Sequence, residues 1–192
     1  MRLLLLAAPG GGKGTQGERL ASHFDVQHIS SGDVLRAAAG TDTPAGREVA
    51  AYQRRGDLVP DQIVLGLLIP VVVDAAARGG YILDGFPRTL PQAMEAFNIA
   101  RELDVTLDAT VYLKVPEPVL MERLLSRARA DDSADVIRHR LQVFIETTSP
   151  LTLGASVVDW WGVTGKPANA LVLRSIDADA YFQLIFERLL RL

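Results

Sequence analysis

The sequence contains no cysteine among its 192 residues, so it can form neither a disulfide nor a metal site built on thiolates. It also lacks a run of about 20 apolar residues, the length that a membrane-spanning helix requires. The apolar start at residues 3–8 is too short for a signal peptide and leads directly into a glycine-rich stretch, which favours a buried first strand. We therefore expect a cytoplasmic protein without a membrane-spanning segment.

Lysine is also scarce: three lysines accompany 17 arginines, and the net charge is -3. A chain with this balance is not a general binder of polyanions, so no nucleic-acid partner is expected. A GC-rich genome explains much of the arginine bias. Arginine nevertheless binds phosphate through two parallel hydrogen bonds, so the positions of the arginines decide whether they have a function.

Segments of strand type and helix type alternate along the chain, which predicts an α/β fold with a mostly parallel sheet and helices on both faces. The five predicted strands are residues 3–7, 27–29, 81–83, 109–115 and 170–173. The predicted helices are residues 13–23, 45–55, 61–77, 116–127, 135–147 and 181–190, and two more that start at Ser30 and near Pro91. Pro70 lies inside the third of these helices and predicts a kink or a break there.

A glycine-rich loop, Ala7 to Thr15, joins the first strand to the first helix. In that position backbone N–H groups and the helix N-terminus can bind a phosphate. Lys13 would reach the transferred phosphate, and Thr15 would place its hydroxyl near Mg²⁺. Asp84, at the end of the third strand, could hold a Mg²⁺-bound water. The general pattern has glycine in place of Ala7 and a hydroxyl residue after the lysine, so a glycine-rich turn without a ligand is the alternative.

Two segments contribute nothing to the predicted sheet, residues 30–59 and the arginine-rich residues 126–132. We interpret both as insertions that move over a nucleotide-binding core. The core would comprise residues 1–29, 60–125 and 133–192, and the whole chain 1–192 would be a single domain.

Five motifs occur in the order in which adenylate kinases carry them, and together they span the chain from its start to about Pro150. They are the phosphate loop at 9–16, two AMP-site motifs at 28–36 and 56–61, the segment 84–92, and the lid at 127–132. The loop includes the glycine that this family has between lysine and threonine, and Arg138 and Arg140 follow the lid. The chain thus resembles the adenylate kinases that have a short lid, with a three-layer P-loop NTPase fold and a five-stranded parallel sheet.

The resemblance implies reversible, Mg²⁺-dependent phosphoryl transfer, ATP + AMP = 2 ADP, by a monomer that maintains adenine nucleotide levels. It implies that ATP binds to Gly10, Gly11, Gly12, Lys13, Gly14, Thr15, Arg123, Arg127 and the main chain near Ala178. It implies that AMP binds to Ser31, Arg36, Asp57, Leu58, Val59, Gly85, Phe86, Pro87, Arg88, Gln92, Arg129 and Arg140. The residues implied in catalysis are Lys13, Arg88, Arg123, Arg129 and Arg140, with Asp131 and Asp132 supporting the lid.

The resemblance also assigns the two insertions and the metal. Residues 30–59 would bind the nucleoside monophosphate, and residues 126–132 would form a short lid with no structural zinc. Mg²⁺ would be held through phosphates and water, with Thr15 and Asp84 nearby. Ser31 stands where the family usually has threonine, and it keeps the hydroxyl.

Three charged or titratable side chains near these motifs are assigned no role in the chemistry. Arg138 is expected to lie on a solvated helix face. His28 is expected to make a local hydrogen bond, and His139 to lie on the surface. The histidines are too scattered in the sequence to form a metal cluster.

Two other functions remain open. A kinase for UMP or CMP would share most of these motifs, although Thr89 and Gln92 favour AMP, because an amide can both donate to and accept from the adenine edge. A nucleotide-binding homologue with weakened catalysis is suggested by Ala7 and by the region after Pro150, which departs from the family pattern.

Overall fold

A computed structural model describes residues 1–127 and 133–151 of the chain, together with the backbone of residues 170–174. Five strands form one sheet in the spatial order β2-β3-β1-β4-β5. They are β1 (Arg2–Ala7), β2 (Gln27–Ser30), β3 (Tyr81–Asp84), β4 (Ala109–Lys114) and β5 (Ala170–Arg174). Every neighbouring pair is parallel. The predicted parallel sheet of an α/β fold is therefore confirmed.

Within the described ranges the helices are α1 (Lys13–Phe24), α2 (Ser31–Ala39), α3 (Pro44–Arg55), α4 (Asp61–Ala77), α5 (Leu90–Glu102), α6 (Glu117–Arg127) and α7 (Ala134–Val143). The helix predicted at 135–147 is shorter than expected, because a π-helical turn (Phe144–Thr148) and a 3₁₀ turn (Ser149–Leu151) follow Val143. The Thr147 hydroxyl donates to the Val143 carbonyl at 2.7 Å, and such a bond competes with the regular helical ladder. The helix predicted at 181–190 lies outside the described residues.

The first strand is buried on both faces, as its continuous apolar run predicts. Leu3 and Leu5 pack on one side of the sheet in a cluster with α1. Leu4 and Leu6 pack on the other side in a larger cluster with α4. Each fully buried leucine contributes about 1.5–3 kcal/mol of hydrophobic free energy, so this strand anchors both apolar layers.

Helix α4 runs without interruption from Asp61 to Ala77, so the chain does not break at Pro70, while the kink that was the other expectation stays a prediction. Proline removes the N–H that would bond the carbonyl of Gly66 in a regular helix. Both residues are exposed, so water can bond that carbonyl, while Leu68 on the opposite face is buried against the sheet. None of the described helices, α4 included, has the length and apolar character needed to cross a membrane.

Helices α2 and α3 lie between β2 and α4 in the chain and add no strand to the sheet. Helix α2 begins where the sequence predicts, and Ser30 is its N-cap, since its side chain accepts a hydrogen bond from the Asp33 backbone N–H at 3.4 Å. Thr43 caps α3 in the same way. Gly46 allows the two helices to pack closely, because a Cβ there would lie 2.6 Å from the Ala38 carbonyl oxygen. That residues 30–59 form a separate insertion stays a prediction.

Candidate active site

A cleft of about 710 Å³ lies at the carboxyl ends of β1, β2 and β3. Parallel α/β sheets bind their ligands at this edge. The predicted site residues that line the cleft are Gly10, Gly11, Gly12, Lys13, Gly14, Thr15, Ser31, Arg36, Asp57, Leu58, Val59, Asp84, Gly85, Phe86, Pro87, Arg88, Gln92, Arg123, Arg127 and Arg140. The other predicted site residues, Arg129, Asp131, Asp132 and Ala178, lie outside the described residues.

The glycine-rich loop leaves the N-terminus of α1 open toward the cleft. Gly12 is the N-cap, with φ at +86°, and no side chain in the described part of the chain caps this helix. Gly10 has φ at +79° and lies against α6, where an added Cβ would be 2.9 Å from the Leu124 side chain. The helix dipole and the uncapped N–H groups make this loop suited to a phosphate.

Ala7, which replaces the first glycine of the general loop pattern, causes no backbone strain. It ends β1, is 5% exposed, and is not among the non-glycine residues that have positive φ. Its methyl group instead occupies space beside Gly11, where a Cβ would lie 2.7 Å from the Ala7 Cβ. The need for glycine therefore falls on Gly11, and the substitution at position 7 leaves the loop geometry intact.

Lys13 extends back along its own loop. Its Nζ donates to the carbonyl oxygens of Ala7 at 2.7 Å and Ala8 at 3.1 Å. Burial lowers the pKa of Lys13 to about 8; the charge of Asp84 opposes this shift, while those of Arg88 and Arg127 add to it. An anion that enters the cleft would stabilise the ammonium form, because it would replace carbonyl dipoles with a full opposite charge.

Asp84, which is buried, pairs with the partly buried His28 on the adjacent strand. The His28 Nε2 lies 2.7 Å from the Asp84 Oδ2, and Asp84 is 5% exposed. His28 therefore does not make the local bond that was predicted, since its partner is 56 positions away and is brought near by the β2–β3 pairing. Gly17 gives the ring room, because a Cβ there would lie 2.4 Å from Nε2. No three histidine or acidic side chains cluster as a metal site in the described ranges, so a cation at Asp84 would need oxygens from a ligand and water.

Arg88 is fixed by three hydrogen bonds to its backbone and side chain. Its Nε donates to the Gly85 carbonyl at 2.6 Å, and its backbone N–H donates to the Gln92 Oε1 at 2.8 Å. The Thr148 hydroxyl donates to the Arg88 carbonyl at 2.7 Å. Thr148, in the π-helical turn, was missed by the sequence analysis, because nothing in its local sequence indicates a partner 60 positions away. These bonds hold the guanidinium in one place before a ligand arrives.

Arg88 is partly buried and lies near two other arginines. Burial lowers the pKa of Arg88, Asp84 opposes that shift, and Arg140 and Arg36 lower the pKa further. Arg88 also lowers the pKa of Lys13, so the charges of the phosphate loop and of the segment 84–92 act on each other across the cleft. A cleft with this balance favours an anionic ligand between Lys13 and Arg88.

The Ser31 hydroxyl is buried next to Gly85. It is 1% exposed and has no hydrogen-bond partner among the residues that the structure describes. A Cβ on Gly85 would lie 2.4 Å from the Ser31 Oγ, so only glycine fits beneath it. Buried hydroxyls are rarely left unpaired in proteins, and this one lines the cleft, so it is available to a ligand.

Helix α7 contacts the end of α3 across the cleft. Arg140 Nη2 donates to the Gln53 carbonyl at 3.3 Å, and His139 Nε2 lies 2.8 Å from the Asp57 Oδ1. The hydrogen bond from Arg55, followed by that from His139, lowers the pKa of Asp57. His139 is half exposed, which agrees with the predicted surface position, and it pairs with Asp57.

Arg138 lies on the outer side of α7 and pairs with Asp135, one turn earlier. Its side chain is 65% exposed, and it is absent from the described lining of the cleft. This position agrees with the solvated helix face that the sequence predicts. Arg140, two positions later, lines the cleft, because residues two positions apart lie on different faces of a helix.

Comparisons with known proteins agree with this geometry. A family model described as "Adenylate kinase" matches residues 5–154. An adenylate kinase of Prochlorococcus marinus (strain MIT 9303) is 48% identical over 150 residues, which are 78% of this chain and 81% of that protein. An adenylate kinase of Rhodococcus erythropolis is 46% identical over 151 residues, 79% of this chain and 83% of that protein. One of Leptospira biflexa is 40% identical over 180 residues, 92% of this chain and 90% of that protein.

Proposed function

The chain belongs to the adenylate kinase family and acts as a phosphotransferase, and on this premise we propose how its cleft catalyses ATP + AMP = 2 ADP. The observation that carries the proposal is the electrostatic balance between the phosphate loop and the segment 84–92. Lys13 and Arg88, one from each, are both partly buried, and each has a lowered pKa. Two nucleotides whose phosphates meet between Lys13 and Arg88 would supply negative charge that stabilises both cations.

ATP occupies the side of the cleft that the phosphate loop forms. The N–H groups of the loop, residues Gly10 to Thr15, surround its phosphates, and Lys13 exchanges its carbonyl partners for phosphate oxygens. Arg123 and Arg127, at the end of α6, cover ATP from the lid side. The adenine of ATP contacts the main chain near Ala178. This arrangement is supported by the position of α6 along the cleft and by the N-terminus of α1, which no side chain of the described residues caps.

AMP occupies the opposite side. Its phosphate binds Arg88, with Arg36 beside it and, as a donor, the Ser31 hydroxyl, which has no partner among the described residues. Its adenine lies along the main chain of residues 57–59, and the amide of Gln92 reads the adenine edge. Residues 85–87 form the floor between phosphate and base, where Gly85 leaves room for the Ser31 side chain.

The chemistry needs position and charge more than proton transfer. The attacking AMP phosphate is already ionised, so no general base is required. Lys13 and Arg88 hold donor and acceptor in line, Arg123 neutralises charge on ATP, and Arg129 and Arg140 bridge the phosphates during transfer. Asp131 and Asp132 support these arginines. Closure of the lid excludes water, which would otherwise hydrolyse ATP.

The residues at the cleft fit a Mg²⁺ ion that is held mainly by the phosphates of the substrate and by water. Asp84 is a buried carboxylate at the end of β3, and Thr15 offers a hydroxyl at the start of α1. Such oxygen donors suit Mg²⁺, which usually keeps several waters and uses few protein ligands. When bound, Mg²⁺ would neutralise part of the phosphate charge. His28 orients the Asp84 carboxylate through its 2.7 Å hydrogen bond.

The chain works as a cytoplasmic monomer with one domain. Residues 30–59 move as the AMP-binding insertion, and residues 126–132 move as the short lid. The contact between α7 and the end of α3 supports a closed arrangement, because it joins the helix after the lid to the insertion.

A coupled assay for ADP formation tests the proposal. With ATP, Mg²⁺ and one monophosphate at a time, we expect rapid turnover with AMP and slow turnover with UMP, CMP and GMP. Chelation of Mg²⁺ should abolish turnover, and restored Mg²⁺ should recover it. Preference for UMP or CMP would assign the chain to another monophosphate kinase class. ATP binding without ADP formation would support the homologue with weakened catalysis, although the unstrained Ala7 argues against it.

A further inference from the structure

Asp61, the first residue of α4, bonds the side chain that reads the AMP base. The Gln92 Nε2 donates to the Asp61 Oδ1 at 2.7 Å, while the Gln92 Oε1 accepts from the Arg88 backbone N–H at 2.8 Å. Gln92 is 2% exposed and lines the cleft. Among the described residues these two groups are the partners of its amide, one at each end.

The two partners permit one orientation of the amide. A backbone N–H can only donate, and a carboxylate can only accept. A flipped amide would place its oxygen against the carboxylate and its NH₂ against the Arg88 N–H, which loses both bonds. The assignment of oxygen and nitrogen in Gln92 therefore follows from the chemistry of its neighbours.

Asp61 and Gln92 both lie on helices whose positions are fixed by other contacts. Asp61 opens α4, where a negative charge is favoured by the helix dipole, and α4 is anchored in the core by Val64 and Leu68. Gln92 lies in the first turn of α5, where its backbone N–H bonds the Thr89 hydroxyl at 3.3 Å. The amide is thus set between two fixed elements.

The remaining hydrogen-bonding capacity of the amide defines what it can read. An amide has two N–H donors and two lone pairs on its oxygen, and the protein uses one of each. One donor and one acceptor remain, side by side in a fixed order. A 6-aminopurine presents an acceptor at N1 and a donor at the 6-amino group. A 6-oxopurine presents the reverse, so it would require the flipped amide.

We propose that Asp61 is a specificity-determining positioning residue that locks the Gln92 amide for 6-aminopurine monophosphates and against 6-oxopurine monophosphates. This inference rests on the proposed function, because it takes the base of AMP to lie against Gln92. If the Gln92 amide flips in the intact protein, buried polar groups are left mispaired. This cost lowers kcat/KM for the oxopurine nucleotide by about 10- to 100-fold.

The test compares AMP with IMP, which differ at this edge of the base, in the intact protein and in Asp61→Asn. The substituted asparagine side chain can turn either its oxygen or its NH₂ to Gln92, so the flip loses one bond instead of two. The kcat/KM ratio of AMP to IMP is expected to fall about tenfold. The change should lie in the KM values, with kcat for AMP little altered, because Lys13 and Arg88 are untouched.

Asp74→Asn is the matched control, since it makes the same change in the same helix at an exposed residue that pairs with Arg78. It should leave the ratio unaltered. Should Asp61→Asn not fold, Asp61→Ser removes the carboxylate and keeps a residue suited to a helix start. An unchanged ratio in a folded variant, with the parent active on AMP, overturns the role of Asp61 and leaves the proposed function intact. A parent that does not phosphorylate AMP overturns both.

Discussion

The replacement of Arg88 by methionine should separate activity from stability. The guanidinium is partly buried and lies near other cations, so its charge destabilises the free protein. Methionine fills similar space without charge, and the protein loses the 2.6 Å bond to the Gly85 carbonyl, worth about 1 kcal/mol. The two effects oppose each other, so the unfolding free energy should change by no more than about 1–2 kcal/mol, or roughly 2–8 °C in Tm.

The effect of Arg88→Met on turnover should be far larger. A phosphate-binding arginine contributes about 10³ to kcat, or roughly 4 kcal/mol of transition-state stabilisation. Coupled ADP assays give kcat, and thermal unfolding gives Tm on the same samples. Arg101→Met, on α5 and stacked over Phe97, is the control and should leave both unchanged. A kcat of Arg88→Met within about tenfold of the parent would refute the assigned role, and a loss of Tm far beyond about 8 °C would make the role structural.

Three further predictions concern the same cleft. The affinity for ATP should be constant below pH 8 and should fall about tenfold per pH unit above it, because the pKa of Lys13 is about 8 in the free protein and rises when phosphate binds. Titration calorimetry measures this affinity, and the same decline in Lys13→Arg would contradict the assignment to Lys13. Gly11→Ala should weaken ATP binding by about tenfold or more, because its Cβ would lie 2.7 Å from the Cβ of Ala7. Adding Ala7→Gly should recover part of that loss, and additive effects of the two substitutions on the Kd for ATP would count against the contact. Thr148→Val should lower kcat by about tenfold with little change in Tm, since it frees the backbone of Arg88; an unaltered kcat would show that this bond is dispensable.

Local patterns predicted the sheet and the main loops of this chain well. The apolar run of β1 indicated a strand buried on both faces, and the order of the motifs indicated which loops meet at its carboxyl end. Ser30 and Thr89 cap helices, as side chains of their type commonly do. These features depend on neighbours within a few residues, which the sequence displays directly.

The features that were missed depend on distant neighbours. His28 finds its partner through strand pairing, and Thr148 reaches Arg88 only because a π-helical turn places it there. Pro70 does not break α4, because the core holds the buried face of that helix while the exposed face tolerates a lost bond. Asp61 closes the second AMP-site motif and begins a predicted helix, but the sequence analysis assigned it no role of its own. Its contact with Gln92 joins two helices through residues that are 31 positions apart.

The most direct test is a crystal structure with a bisubstrate mimic in which two adenosines are joined by a chain of phosphates. The phosphate chain is expected to run from the loop at Lys13 to the guanidinium of Arg88, with one adenine against Gln92. A phosphate chain bound away from either cation would contradict the claim that two nucleotides face each other in this cleft.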